Sequence, residues 1–311
     1  MYNIVERRRW FFLISALVII PGIVAMIYST INLPSHTPVR LSIDFVGGSL
    51  FALKFEEPAS EDAIRDVLTG FNLDDPVIQQ LGEASDNTWQ VRTSFVSPEK
   101  AQEIQRALSE EVAPLDLGQS SIDTVAPSIG AEVTQAAVLA VVAVGVIILG
   151  FILLAFRQVP RAFRYGACAV VAMIHDVLVT MGVMSILGLL FGWEVDALFL
   201  TAMLTVVAFS VQDSIVIFDR IRENLPKRRS EPYETVVNRS ILETIHRSLA
   251  TQLNAVFIMV AILLFGGATI RQFIAILLIG LLSGTYSSIF TAVPLLVAWE
   301  KGELPFARRA A

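Results

Sequence analysis

One cysteine and three histidines are all that this chain of 311 residues offers as thiolate or imidazole ligands. Cys168 stands alone inside an apolar run, which excludes an intramolecular disulfide and any cysteine-based zinc or iron–sulfur site. His36, His175 and His246 are too scattered for zinc-ligand spacing, and neither a metal nor an organic cofactor is expected. Charge is also scarce: Asp, Glu, Lys and Arg make up 17% of the residues, against about 25% in a soluble globular domain. The 23 Lys and Arg fall in short clusters without a broad basic face and interleaved aromatics, and 29 Asp and Glu leave a net charge of −6. No nucleic-acid partner is expected from such a pattern.

What the chain has in excess is apolar side chains, 54% of the total. A bilayer-crossing helix needs roughly 20 consecutive, mostly apolar residues, and six stretches meet that length. They run over Trp10–Ile31, Val133–Phe156, Ala162–Phe191, Ala197–Phe218, Arg247–Phe265 and Ile270–Trp299. The first follows Arg7, Arg8 and Arg9 as a signal peptide would. Its apolar core is longer than a signal h-region, however, and no A-x-A-like site follows, so the expectation is a retained anchor. Lys and Arg of the short segments set orientation. Arg7–Arg9, then Arg157, Arg161 and Arg164, then the cluster from Arg220 to Arg239, then Lys301, Arg308 and Arg309 all fall on one side; the short loops opposite hold only Arg271. The expectation is a multi-pass membrane protein with both termini in the cytoplasm. Residues 1–9 and 300–311 are its cytoplasmic ends, 10–31 its first helix and 133–299 a five-helix bundle.

Residues 32–132 form the one long loop, which this topology places outside the cytoplasm. They hold 6 Lys and Arg against 17 Asp and Glu, a local charge of −11, so the acidity of the chain is mostly theirs. The pattern reads strand (Leu41–Phe45, resuming Ser49–Phe55), helix (Ser60–Phe71), strand (Val77–Leu81), strand (Thr88–Phe95), helix (Ser97–Val112), strand (Ser121–Val125). Ser60 before Glu61 and Asp62, and Ser97 before Pro98 and Glu99, are helix N-cap signatures; Gly70 suits a helix stop. That order of elements is the one found in a ferredoxin-like sandwich. The expected fold is therefore a polytopic α-helical membrane protein with an α+β ferredoxin-like extracytoplasmic domain between helices 1 and 2.

Ionisable side chains inside the apolar stretches cost at least about 2.5–3.5 kcal/mol to insert and are functional candidates by default. Asp213 lies six residues before Asp219, roughly 9 Å inside the end of the fourth span at 1.5 Å per residue. Asp176 sits mid-span beside His175, and Arg247 opens the fifth span. Thr244, Arg247, Ser248, Thr251, Asn254 and Ala255 recur at three- and four-residue spacing, one polar helix face expected to line the interior. A carboxylate there is pushed towards its neutral form by burial and back by a nearby guanidinium, so Asp213 with Arg247 can load and release a proton. The plainer reading is that the neutral polar residues only hydrogen-bond helices together. Adjacent helix residues point about 100° apart, so His175 and Asp176 are not expected to share one small site. Gly280, Ser283 and Gly284, followed by Ser287 and Ser288, suit close helix packing more than a ligand.

Four segments taken together carry a family resemblance. Ile43-Asp44-Phe45-Val46-Gly47-Gly48 resembles D-F-x-G-G; His175-Asp176-Val177-Leu178 follows in the third span. The stretch from Ser210 through Asp213 to Phe218-Asp219-Arg220-Ile221-Arg222-Glu223-Asn224 resembles S-x-N-D-x-V-V-x-F-D-R-x-R-E-N. Asn238, Ser240, Thr244, Arg247 and Thr251 lead to Gly266-Gly267, and Gly284-Thr285-Tyr286-Ser287-Ser288 closes the set. The pattern, over nearly the whole chain, resembles SecF, the membrane subunit of the bacterial SecD/SecF accessory complex, itself similar to resistance-nodulation-division (RND) pumps. It departs at Ala208-Phe209 and Gln212, where SecF usually has Gly-Tyr and Asn, and at Gln252 and Asn254, where hydroxyls are common.

The resemblance implies six helices in an RND half-transporter arrangement and a non-enzymatic role. SecF pairs with SecD, associates with the SecYEG channel, and uses the proton gradient to draw preproteins out. Asp213 is then the proton-binding acid and Arg247 its partner, with His175, Asp176, Thr244, Ser248 and Thr251 in secondary proton or packing roles. Asp44, Gly47 and Gly48 shape the junction between first span and soluble domain, and the proton is the only coupling ion. The competing readings are an RND-type exporter half, for which one half alone is too little, and a scaffold without energy coupling. An intramembrane aspartyl protease built on Asp176 and Asp213 is disfavoured because Gly-x-Gly-Asp is missing.

Overall fold

A backbone in lipid must satisfy its own N–H and C=O groups, and a helix does so within one segment. The computed structural model describes residues 3–33, 35–73, 76–81, 86–157, 159 and 161–304; Arg308 and Arg309 lie outside them. In chain order the elements are α1 (Arg8–Asn32), α2 (Ile43–Val46), β1 (Gly48–Lys54), α3 (Glu61–Gly70), β2 (Val77–Leu81), β3 (Thr88–Thr93), α4 (Pro98–Glu111) and β4 (Ser121–Val125). Then come α5 (Pro127–Ala155), α6 (Ala162–Phe191), α7 (Ala197–Lys227), α8 (Tyr233–Phe265), α9 (Ala268–Ser287), a π-helical turn (Ser288–Ala292) and α10 (Val293–Glu300). Among the described residues six helices are long and apolar enough to cross a membrane: α1, α5, α6, α7, α8 and the continuous run Ile270–Glu300. The chain divides into two compact units, Met1–Arg40 with Leu139–Ala311, and Leu41–Val138.

The smaller unit carries a four-stranded sheet in the order β2-β3-β1-β4, with every neighbouring pair antiparallel. Alternation along β1 and β3 turns Phe51, Leu53, Trp89 and Val91 inward, where they meet Ile64 and Leu68 of α3 and Ile104 and Leu108 of α4. Each such side chain, fully buried, contributes about 1.5–3 kcal/mol. Ser60 accepts the Ala63 N–H at 3.3 Å and Ser97 the Lys100 N–H at 3.4 Å, so each helix starts on a side-chain cap. Gly70 is the last helical residue rather than the stop; the left-handed position after α3 belongs to Asn72, at φ 58°. The expected first strand over Leu41–Phe45 is not formed. Ser42 accepts the Asp44 N–H at 3.2 Å and caps the helical turn α2 instead, because a local side-chain acceptor competes with strand pairing. Gly47 (φ 77°) and Gly48 (φ 131°) then swing the chain into β1, and a Cβ on Gly47 would stand 2.6 Å from Pro127 Cα. Only glycine fits that turn.

In the larger unit α6, α7 and the α9–α10 run are half-buried along their apolar windows, whereas α1, α5 and α8 are mostly exposed. Glycines bring backbones together at two crossings. A Cβ on Gly22 of α1 would lie 2.8 Å from Gly182 Cα of α6, and one on Gly280 of α9 would lie 2.1 Å from Val206 Cγ2 of α7. At one end of the bundle Asn238 Oδ1 accepts the buried Ile4 N–H at 2.8 Å. Arg8 pairs with Glu234 and Glu303 there, and Arg161 and Arg164 pair with Glu300.

The fifth helix starts earlier than the apolar stretch suggests. It begins at Tyr233, so Arg247 sits near the middle of α8 and does not open the span. The polar turns from Glu234 to His246 continue the helix by packing Val236, Val237 and Ile241 inward, which a search for uncharged runs does not register.

Candidate functional site

Two carboxylates are buried inside the helical unit. Asp213 is 6% exposed on α7, and its Oδ2 accepts a hydrogen bond from Gln252 Nε2 of α8 at 2.6 Å. Beside it, Ser214 Oγ is buried without a hydrogen-bond partner among the described residues. Arg247 does not meet Asp213: it is exposed on the outer face of α8 and forms no ion pair among the described residues. The reason lies in which helical row α8 turns inward. Ser240, Thr244, Ser248 and Gln252, each four residues on, are buried; Arg247, Thr251 and Asn254 are exposed. Residues 247 and 248 are both within one turn of Thr244 but about 100° apart, so periodicity leaves the choice open and packing against α7 and α9 makes it. The expected interior face is thus corrected: Thr244 and Ser248 belong to it, Arg247 and Thr251 do not. Gln252 replaces the guanidinium as the neighbour of Asp213.

Asp176, fully buried, holds a denser set of partners. Its Oδ1 receives Ser283 Oγ at 2.6 Å and lies 3.1 Å from His175 Nδ1; its Oδ2 receives Ser210 Oγ at 2.5 Å and Ser287 Oγ at 2.6 Å. His175 Nε2 is 3.1 Å from Ser15 Oγ of α1, which is 3.3 Å from Thr291 Oγ1 in the π-helical turn. The expectation that adjacent His175 and Asp176 cannot share a site is overturned. Because α6 packs on α1, α7 and α9 at once, its buried face is wide, and two side chains 100° apart both point into the interior. The Gly280 and Gly284 row does give close packing, against Val206 and Ser210 of α7, and that approach is what carries Ser283 and Ser287 to the carboxylate. Ser15 escaped the sequence reading, and Ser210 and Gln252 were read only as parts of the family pattern, not as site residues. Ser210 and Gln252 each stand four residues from another polar residue, Ser214 and Ser248, whereas Ser15 is a lone hydroxyl in an apolar run and gave no signal. Among the described residues no group of three or more His, Cys, Asp or Glu is placed to hold a metal.

These elements define a polytopic α-helical membrane protein with a small α+β unit that, among the described residues, buries two carboxylates and a histidine between its apolar helices. The comparisons give that class a family. The model for "Protein export membrane protein SecD/SecF, C-terminal" matches residues 104–302. Protein translocase subunit SecF from Anaerolinea thermophila is 46% identical over 311 residues, covering 97% of this chain and 96% of its own length. The SecF of Thermobaculum terrenum is 42% identical over 307 residues, covering 96% of this chain and 94% of its own. The crystal structure of SecDF, a translocon-associated membrane protein from Thermus thermophilus, superposes with a TM-score of 0.76 at 31% identity. It covers 96% of this chain, which spans 39% of that longer one. The chain belongs to the SecF family of protein translocase subunits.

Proposed function

We propose that this chain couples the proton motive force to late steps of preprotein export across a bacterial cytoplasmic membrane, working with SecD and the SecYEG channel. A Sec accessory role follows from the family; the proton coupling rests on one observation. Asp213 is a carboxylic acid held inside a spanning helix against a neutral amide, with no cation bonded to it among the described residues. Such an acid exchanges a proton more readily than one locked to a guanidinium, and the cost of its charge in lipid favours a change of state when the proton leaves. Asp213 is the proton-binding acid in this reading. Arg247 acts from the outer face of α8, meeting Asp213 only in another arrangement of the helices or through a partner subunit. With Thr251 and Asn254, one and two turns further along α8 and also exposed, it forms a polar strip that hydrocarbon would disfavour. We assign that strip to SecD, and the greater length of the matched SecDF chain supports a partnered arrangement.

Both termini are placed in the cytoplasm, on the Lys and Arg bias, and residues 32–132 outside it. Elements β1-α3-β2-β3-α4-β4 with sheet order β2-β3-β1-β4 support a ferredoxin-like reading of that domain, and the RND half-transporter arrangement is proposed with it. Asp44, Gly47 and Gly48 form its entry turn. The chain acts as a transport subunit rather than an enzyme, with the proton as coupling ion, the preprotein as passenger and no cofactor.

The test is export of a secreted reporter in cells depleted of their own SecF and supplied with this chain and its SecD. Asp213→Asn keeps the size and the contact with Gln252 but exchanges no proton. Loss of rescue at matched membrane levels, with assembly intact, is the expected result; full rescue would leave a scaffold role.

A further inference from the structure

We infer that the Asp176 cage is a second proton-binding site, separate from Asp213, with its own alternative hydrogen-bond acceptor already in place. It rests on the proton-coupling reading for its use, but its chemistry follows from geometry alone. As the carboxylate, with one negative charge shared by its two oxygens, Asp176 has four donors available: Ser283 and His175 Nδ1–H at Oδ1, Ser210 and Ser287 at Oδ2. That is close to the full acceptor capacity of a carboxylate, and it lets an anion persist with no Lys or Arg bonded to it among the described residues.

The acid form is provided for as well. A proton from the aqueous phase bonds to Oδ2 and is donated to Ser287 Oγ. The hydroxyl hydrogen of Ser287 turns to the Gly284 carbonyl, which already lies 3.3 Å from Ser287 Oγ. Ser283 continues to donate to Oδ1, now the C=O oxygen. One hydroxyl rotation accommodates the proton, and none of the polar atoms bonded to Asp176 is orphaned in either state.

The surroundings limit what else titrates there. From α1 the pair meets Ser15, from α7 Ser210, and from α9 Ser283, Ser287 and Tyr286, whose ring stacks 6.0 Å from that of His175. Tyr286 donates its hydroxyl to Phe11 O at 2.6 Å. Asp213 is one turn beyond Ser210 on α7 and bonds to Gln252 of α8. His175 is a second seat for a proton, since Nε2–H can donate to Ser15 Oγ and Ser15 in turn to Thr291 Oγ1. Thr291 lies in the π-helical turn, a feature frequent at functional sites. The serines bound to Asp176 come from α7 and α9, so its protonation state bears directly on the contact between those helices.

The test is infrared difference spectroscopy on the full chain reconstituted in phospholipid vesicles, with spectra taken across a pH titration. The Asp213→Asn protein should show a carboxylic C=O band that grows on acidification and is missing from the Asp176→Asn, Asp213→Asn double variant. Adding Ser283→Ala to Asp213→Asn removes a donor to that C=O and should move the band to higher frequency. A band that neither Asp176→Asn removes nor Ser283→Ala shifts, or no band at all, overturns the proposal. Should the double variant fail to fold, judged by its helical circular dichroism, the Ser283→Ala shift decides by itself. None of these readouts depends on export, so a failed second site and a failed translocation reading are told apart.

Discussion

Gly280→Ala is the substitution whose consequence the structure specifies most closely. The added Cβ would stand 2.1 Å from Val206 Cγ2, 2.7 Å from Cγ1 and 2.9 Å from Cβ, where carbon atoms are at their optimum about 3.5–4.0 Å apart. Rotating Val206 offers no escape, because its own Cβ is among the obstructing atoms and a β-branched residue in a helix is nearly confined to one rotamer. Helix α9 must therefore back away from α7 by an ångström or more. Overpacking of this kind costs about 1–3 kcal/mol, against a gain of about 1 kcal/mol from replacing glycine in a helix, so a net loss of up to about 2 kcal/mol is expected. Val206→Ala removes the two closest contacts and leaves the one at 2.9 Å. The double variant should therefore recover about 1 kcal/mol relative to the sum of the single effects, a coupling within the range seen for residues in contact. Reversible unfolding in mixed detergent and denaturant micelles, followed by circular dichroism, gives the four stabilities. Strict additivity, or a Gly280→Ala protein more stable than the parent, would refute the close α7–α9 crossing and with it the delivery of Ser283 and Ser287 to Asp176.

Three further expectations concern the ends of the bundle and its orientation. Asn238→Ala leaves the buried Ile4 N–H without its acceptor, at a cost of about 1–3 kcal/mol, and should speed hydrogen exchange or proteolysis of the first residues; unchanged protection would remove the anchor. The Glu303 carboxyl is held below its ordinary 4.5, first by its hydrogen bond from Arg8 and despite some desolvation. A lowered value means that the tie is fully present above pH 4.5 and lost as pH falls below it; exchange protection of residues 301–304 should drop on acidification in that range, and Glu303→Gln should abolish the dependence. A membrane-impermeant thiol reagent applied to intact spheroplasts, in a chain lacking Cys168, should label Asp86→Cys and not Lys227→Cys, and the reverse pattern would invert the topology.

The number of spanning helices was legible because length and apolarity act locally: twenty apolar residues have no other way to bury their backbone polarity. The caps at Ser60 and Ser97 were legible for the same reason, since a cap is made within three residues of chain. The turn at Ser42–Val46 was not, because Leu41, Ile43 and Phe45 alternate as in a strand while the capping hydroxyl decides for a helix. In the α+β unit the order of elements could be read, but the pairing of β1 with both β3 and β4 joins strands some forty and seventy residues away, a long-range choice that side chains on both sheet faces settle.

The candidate site divides along the same line. Sequence by itself determined that Asp176, Asp213 and His175 lie within spanning helices, because hydropathy places them there whatever the helices do. It could not determine that Asp213 meets Gln252 and not Arg247, or that three serines from α7 and α9 close around Asp176. Those contacts depend on the rotation of each helix about its axis and on how near two helices approach. One residue of rotation is 100°, and the approach of α9 to α7 is set by the absent side chain of Gly280 against Val206. Both are properties of packed pairs of helices, decided only when the tertiary structure forms.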